Sequence, residues 1–120
     1  MKLIKSFAYA WAGIRSCFQS EPNFRIHSVL GIVVLVFSMV FNISTIEWMA
    51  VCFCIAFVIT MEMLNTALEK LCDVIHKEVH PGIKNVKDMA AGAVLVAALF
   101  SLITGAIIFI PKIISFIQSI

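Results

Sequence analysis

Charge is what this sequence most lacks. Only 13% of its 120 residues are Asp, Glu, Lys or Arg, against about 25% in a typical soluble domain. Hydrophobic residues make up 62%, and the mean hydropathy is +1.04. A chain this short cannot hide so much apolar surface from water. The composition therefore argues against a soluble helical protein and for one domain, 1–120, dissolved in a bilayer. A cysteine framework is missing too. Cys17, Cys52, Cys54 and Cys72 lie in apolar stretches, and their spacing matches neither a disulfide scaffold nor a metal knuckle. They read as small buried or lipid-facing residues. The opening MKLIKSFAYAWAGIRS has no uninterrupted apolar core and no small-residue cleavage site, so no cleaved signal peptide is expected. There is no GxxxxGK[ST] loop and no H-R-D or D-F-G string, which excludes the phosphate-binding devices of soluble kinases. No repeat or low-complexity segment is visible, and no nucleic-acid partner is expected.

What is present is an all-α pattern. Leu3, Ile4, Phe7, Trp11, Ile14 and Phe18 recur at helical spacing, with Lys2, Lys5, Ser16 and Gln19 on or near the other side. This predicts an amphipathic surface helix over 2–19, suited to the headgroup layer. Glu21-Pro22-Asn23 breaks it. A first span is expected over 26–43, short against the ~20 residues that a crossing needs. Asn42–Glu47 forms a polar loop. Trp48 opens fourteen residues without a charge, and the helical pattern then runs on, giving a second span with an extension over 48–75. His76–Val86 is a polar connection with a Pro81-Gly82 turn signal. The third span, over 87–110, includes 22 uncharged residues from Met89 to Ile110 and ends at Pro111-Lys112. Its Ala90-Ala91-Gly92-Ala93 start permits close helix contact.

Basic residues give the orientation. Lys2, Lys5, Arg15 and Arg25 precede the first span, and Lys70, Lys77, Lys84 and Lys87 surround the second connection. The first loop has none, and the C-terminal segment has only Lys112. The N-terminus and second connection are expected in the cytoplasm, with the C-terminus outside.

Glu62 is the most informative residue. It lies in an apolar helix between Met61 and Met63, where an acid costs roughly 2.5–3.5 kcal/mol at the centre of a span. Lys70 is eight residues further on, about 12 Å along the axis, so Glu62 sits at modest depth, near the reach of a lipid hydroxyl. That place suits a general base. Glu62, Asn65, Glu69 and Asp73 follow at i, i+3, i+7 and i+11, which puts them in one stripe on one helix face. Mg²⁺ takes hard oxygen ligands, commonly one or two carboxylates plus substrate phosphates. Glu69 is the better-placed ligand, with Glu21 as a second at the same membrane surface. Lys87 beside a helix start is a natural place for phosphate, and Asp88 could orient it or hold a nucleotide group. Other readings stand beside these. Glu62 could be a structural acid between helices. Glu69 and Asp73 could pair with Lys70 and Lys77. Lys87 could snorkel, and His76 and His80 could bind a metal or be a solvated loop pair. Jointly, the acids and the basic helix start suggest phosphoryl transfer, where catalysis is positioning and charge neutralisation. A non-enzymatic channel or assembly subunit is the alternative of another class.

The string Glu62-Met63-Leu64-Asn65-Thr66-Ala67-Leu68-Glu69, then Asp73, then Lys87-Asp88-Met89-Ala90-Ala91-Gly92-Ala93-Val94-Leu95 resembles the bacterial diacylglycerol kinase/undecaprenol kinase family, essentially end to end. The resemblance implies a homotrimer in the bacterial cytoplasmic membrane with active sites between subunits. It implies transfer of the ATP γ-phosphate to a lipid hydroxyl with Mg²⁺. Glu62 matches the general base, and Glu21 and Glu69 match the metal-binding acids. Lys2, Tyr9, Glu21, Asn65, Glu69, Asp73, Glu78, His80, Lys87 and Asp88 match the nucleotide site. Lys2 stands where an arginine is usual, which keeps charge but loses the bidentate fork. Asn23-Phe24-Arg25-Ile26-His27, His80-Pro81 and Ala90–Leu95 are more similar to the undecaprenol branch; the diacylglycerol branch usually has an acid at the position of His27. Undecaprenol is therefore the expected acceptor, with diacylglycerol the alternative.

Overall fold

The computed structural model describes residues 1–76 and 78–120, and in these it holds four helices and no strand. They are α1 (Lys2–Ser20), α2 (Pro22–Val40), α3 (Thr45–Ile75) and α4 (Pro81–Gln118). Lys77, used above for orientation and as a possible partner of the acids, lies outside the described residues. α2, α3 and α4 are each long and apolar enough to cross a membrane. With 31 and 38 residues, α3 and α4 extend roughly 46 and 57 Å at 1.5 Å per residue. Both outrun the ~30 Å hydrocarbon layer.

Local chemistry sets the ends. Glu21 is extended (φ −122°, ψ 108°) between α1 and α2, and Pro22 starts α2 at its first position, where a missing N–H costs nothing. α2 thus begins four residues before the expected span. Arg25 reaches back, Nη1 to the carbonyl of Phe18 at 2.6 Å, and satisfies a free carbonyl at the end of α1. Asn42 takes a positive φ of 50° in the α2–α3 turn, a conformation Asn tolerates. Ser44 and Glu47 then form a reciprocal capping box at the start of α3. α4 starts at Pro81, with His80 Nδ1 accepting from the Gly82 N–H at 3.0 Å. Residues 81–86 read as connection in the sequence, yet they form the start of this helix. Pro111 does not end it either. A proline removes one backbone bond, a loss that membrane helices tolerate.

α3 is the central element, packed against both α2 and α4. Phe24, Gly31 and Ser38, seven residues apart, are the buried positions of α2, so its inner face follows a heptad. Gly31 lets the helices approach closely: a Cβ there would lie 3.3 Å from Ile55 Cγ2. Ala90 and Ala97 do the same kind of work on α4. Large apolar residues on all four helices remain exposed. Such a surface is incompatible with a water-soluble monomer. At the end far from Glu62, Lys112 Nζ meets Glu47 Oε2 at 2.9 Å and ties α4 to the start of α3.

Candidate active site

Glu62 is buried, 4% exposed, at the meeting of α3 and α2. Its Oε1 is 3.2 Å from His27 Nδ1 on α2. The two atoms are within ion-pair distance but out of line for a hydrogen bond, and Nδ1 has no other partner. Thr66, equally buried, spends its hydroxyl on the Glu62 backbone carbonyl at 2.9 Å. His27 also lines a largely apolar groove of about 510 Å³ between α2, α3 and α4, walled by residues such as Leu30, Val34, Ile59, Ala98 and Leu102. A buried charge is tolerated only with a partner, and His27 is the one ionisable side chain of opposite sign within that distance among the described residues.

The stripe continues along α3. Asn65 Nδ2 donates weakly to Glu69 Oε1 at 3.5 Å, and the enclosed Asn65 Oδ1 has no partner. One turn on, Asp73 Oδ1 accepts from Lys87 Nζ of α4 at 2.6 Å. Asp88 does not orient Lys87: it pairs with Lys84 at 2.7 Å, since neighbours in sequence do not face each other on a helix. Lys70 turns to the Ser16 hydroxyl of α1 at 3.2 Å rather than to Glu69.

The remaining candidates are spread around this end. Glu21 is half-buried at the start of α2. Lys2 and Tyr9 lie exposed on α1, and no side-chain bond joins them to the acids among the described residues. Glu78 offers its carbonyl to His76 Nδ1 at 3.0 Å. The His76 and His80 rings are 5.4 Å apart, but His80 is engaged as a helix cap. Among the described residues no three His, Cys, Asp or Glu side chains converge as a metal cage. Two half-buried carboxylates with no third ligand suit Mg²⁺ carried in by nucleotide phosphates. Glu21 and Glu69 are the two carboxylates of that kind at this end.

Sequence reasoning passed over the partnership of His27 with Glu62. The heptad of α2 puts His27 on the inner face, three residues after Phe24 and four before Gly31, but it does not name Glu62 as the residue opposite.

The profile of the family described as prokaryotic diacylglycerol kinase matches residues 8–109. The chain is 40% identical over 111 residues to an undecaprenol kinase of Bacillus subtilis (strain 168), covering 92% of this chain and 90% of that protein. It is 37% identical over 114 residues to a diacylglycerol kinase of Synechocystis sp., covering 94% and 65%. With a diacylglycerol kinase of Escherichia coli (strain K12) it shares 30% over 107 residues, covering 89% and 88%.

Proposed function

This chain belongs to the prokaryotic diacylglycerol kinase family and is a membrane lipid kinase with ATP as co-substrate; from that premise we propose that its acceptor is undecaprenol. The observation that carries the proposal is the buried Glu62 carboxylate beside His27, the residue that also lines the apolar groove. A groove with few polar side chains suits an acceptor whose only polar atom is its terminal hydroxyl. The undecaprenol kinase relative supports this reading, and the diacylglycerol kinase relatives keep diacylglycerol as the second acceptor.

In the mechanism, Glu62 takes the proton of the acceptor hydroxyl as its oxygen attacks the γ-phosphorus. The bond from that phosphorus to the β–γ bridging oxygen breaks, and ADP leaves with the electron pair. Asn65, Asp73, Glu78, His80, Lys87 and Asp88 hold the nucleotide, with Lys2 and Tyr9 closing over it from α1. Lys87 supplies positive charge to the phosphates and Asp73 fixes its direction. Glu21 and Glu69 are the residues that would hold Mg²⁺, which would supply neutralisation of phosphate charge. The Lys- and Arg-rich end faces the cytoplasm, where ATP is, and the C-terminus faces outside. The exposed apolar helix faces are covered by lipid and by two further copies in a homotrimer.

The test is phosphorylation of undecaprenol and diacylglycerol side by side, with labelled ATP and Mg²⁺ in mixed micelles. Faster formation of undecaprenyl phosphate is expected. Phosphatidic acid as the sole product would reassign the acceptor, and no lipid product would remove the assignment.

A further inference from the structure

A general base needs direction as well as basicity. A glutamate reaches its carboxylate through three rotatable bonds, and only one oxygen can face the acceptor. In a site as enclosed as that of Glu62, something must hold the other oxygen. We propose that His27 is the positioning residue of Glu62: its Nδ1–H holds Oε1, and Oε2 is left to face the acceptor hydroxyl. The inference rests on the catalytic reading of Glu62 given above.

Three observations support it. Nδ1 and Oε1 are 3.2 Å apart, and Nδ1 is enclosed with no other partner. The hydroxyl that could compete, on Thr66, is used on the backbone. His27 itself is pinned on both sides along one helix face. Three residues before it, Phe24 is 1% exposed and packs edge-on against Phe18 at 4.9 Å between ring centroids. Four residues after it, Gly31 brings α2 against Ile55 of α3. The backbone carrying the imidazole is thereby fixed, and only the ring turns. That torsion has a broad minimum, so bringing Nδ1–H into line with Oε1 costs little. The same ring forms part of the groove wall, so an acceptor entering there meets the residue that sets the base.

Asparagine carries its amide N–H near the place of Nδ1, glutamine near that of Nε2, and leucine has neither. The substitutions H27N, H27Q and H27L therefore separate a role for Nδ1 from packing. For H27L we expect kcat to fall roughly 10- to 100-fold while the KM for ATP stays within about two-fold, the pattern of a displaced catalytic group rather than lost binding. H27N recovers most of kcat and H27Q does not. Equal kcat in all three variants, whether high or low, overturns the assignment. A readout independent of turnover is the ¹⁵N spectrum of the His27 ring in micelles. Nδ1 is expected to carry the proton, and E62Q is expected to shift its signal. An unprotonated Nδ1 indifferent to E62Q overturns the proposal. If the wild type phosphorylates neither lipid alcohol, the functional reading fails, and the spectrum still decides the pair.

Discussion

Lys87 crosses from α4 to Asp73 on α3, Nζ to Oδ1 at 2.6 Å, and so fixes a lysine at the charged end of the site. Asp73 is 63% exposed and Lys87 36%, and a pair so open to solvent contributes little to stability, about 0–1 kcal/mol. The contact is better explained by aiming charge at a ligand. K87M is expected to raise the KM for ATP roughly 10- to 100-fold, the loss of one or more charge-assisted bonds to phosphate. Its melting temperature in detergent should stay close to wild type. Initial rates over an ATP series, together with a thermal melt, check both. Unchanged ATP dependence would leave Lys87 a structural residue.

The E62Q substitution keeps the shape of the side chain and removes its basicity. Turnover is expected to drop ~10²- to 10⁴-fold, the range of a lost general base. Nucleotide binding and assembly should persist, because Asp73, Lys87 and Asn65 are untouched. A radiolabel assay beside a Mg-ATP titration reads the two effects separately. Full activity in E62Q would end the catalytic assignment.

The stripe Glu62, Asn65, Glu69, Asp73 was legible in the sequence because it lies on one helix, where spacing alone fixes a shared face. The family was legible because its motif is continuous along α3 and α4. Contacts between helices were not. Nothing in the periodicity pairs His27 with Glu62, or gives Lys87 to Asp73 and Asp88 to Lys84. Those choices depend on the rotation of one helix against another. The starts of α2 and α4 were misjudged for a different reason. Polar residues read as loop, whereas Pro22 and Pro81 are pre-set for a helical first position.

Glu47 has two tasks at the far end of the bundle. Oε1 accepts from the Ser44 N–H at 3.0 Å, and Oε2 from Lys112 at 2.9 Å. Both partners of the ion pair are about a quarter exposed, so the pair is screened only in part. A double-mutant cycle of E47Q and K112M is expected to give a coupling of ~0.5–1 kcal/mol in detergent unfolding. E47Q alone should cost more than K112M, since it also weakens the capping box. Equal costs would mean that the charge on Glu47 adds nothing to the cap. Lipid phosphorylation should be unchanged in both, because the pair stands at the opposite end from Glu62.

Gly31 links packing to chemistry. It is buried on α2, four residues after His27, and a Cβ there would already lie 3.3 Å from Ile55 Cγ2. Alanine sets two effects against each other. It gains helix propensity of about 1 kcal/mol over glycine, and it forces Ile55 to yield by a few tenths of an ångström. Leucine has no such balance. Its branch must displace Ile55 or push α2 off α3, and overpacking of this kind costs about 1–3 kcal/mol. Because His27 lies one turn away on the same face, separating the helices there also draws Nδ1 from Glu62. G31L is therefore expected to lower both the melting temperature and kcat. G31A should lower kcat far less, whichever way its stability moves. If G31L melted early yet kept wild-type kcat, the close approach at Gly31 would serve stability alone, and His27 would not depend on it for its place.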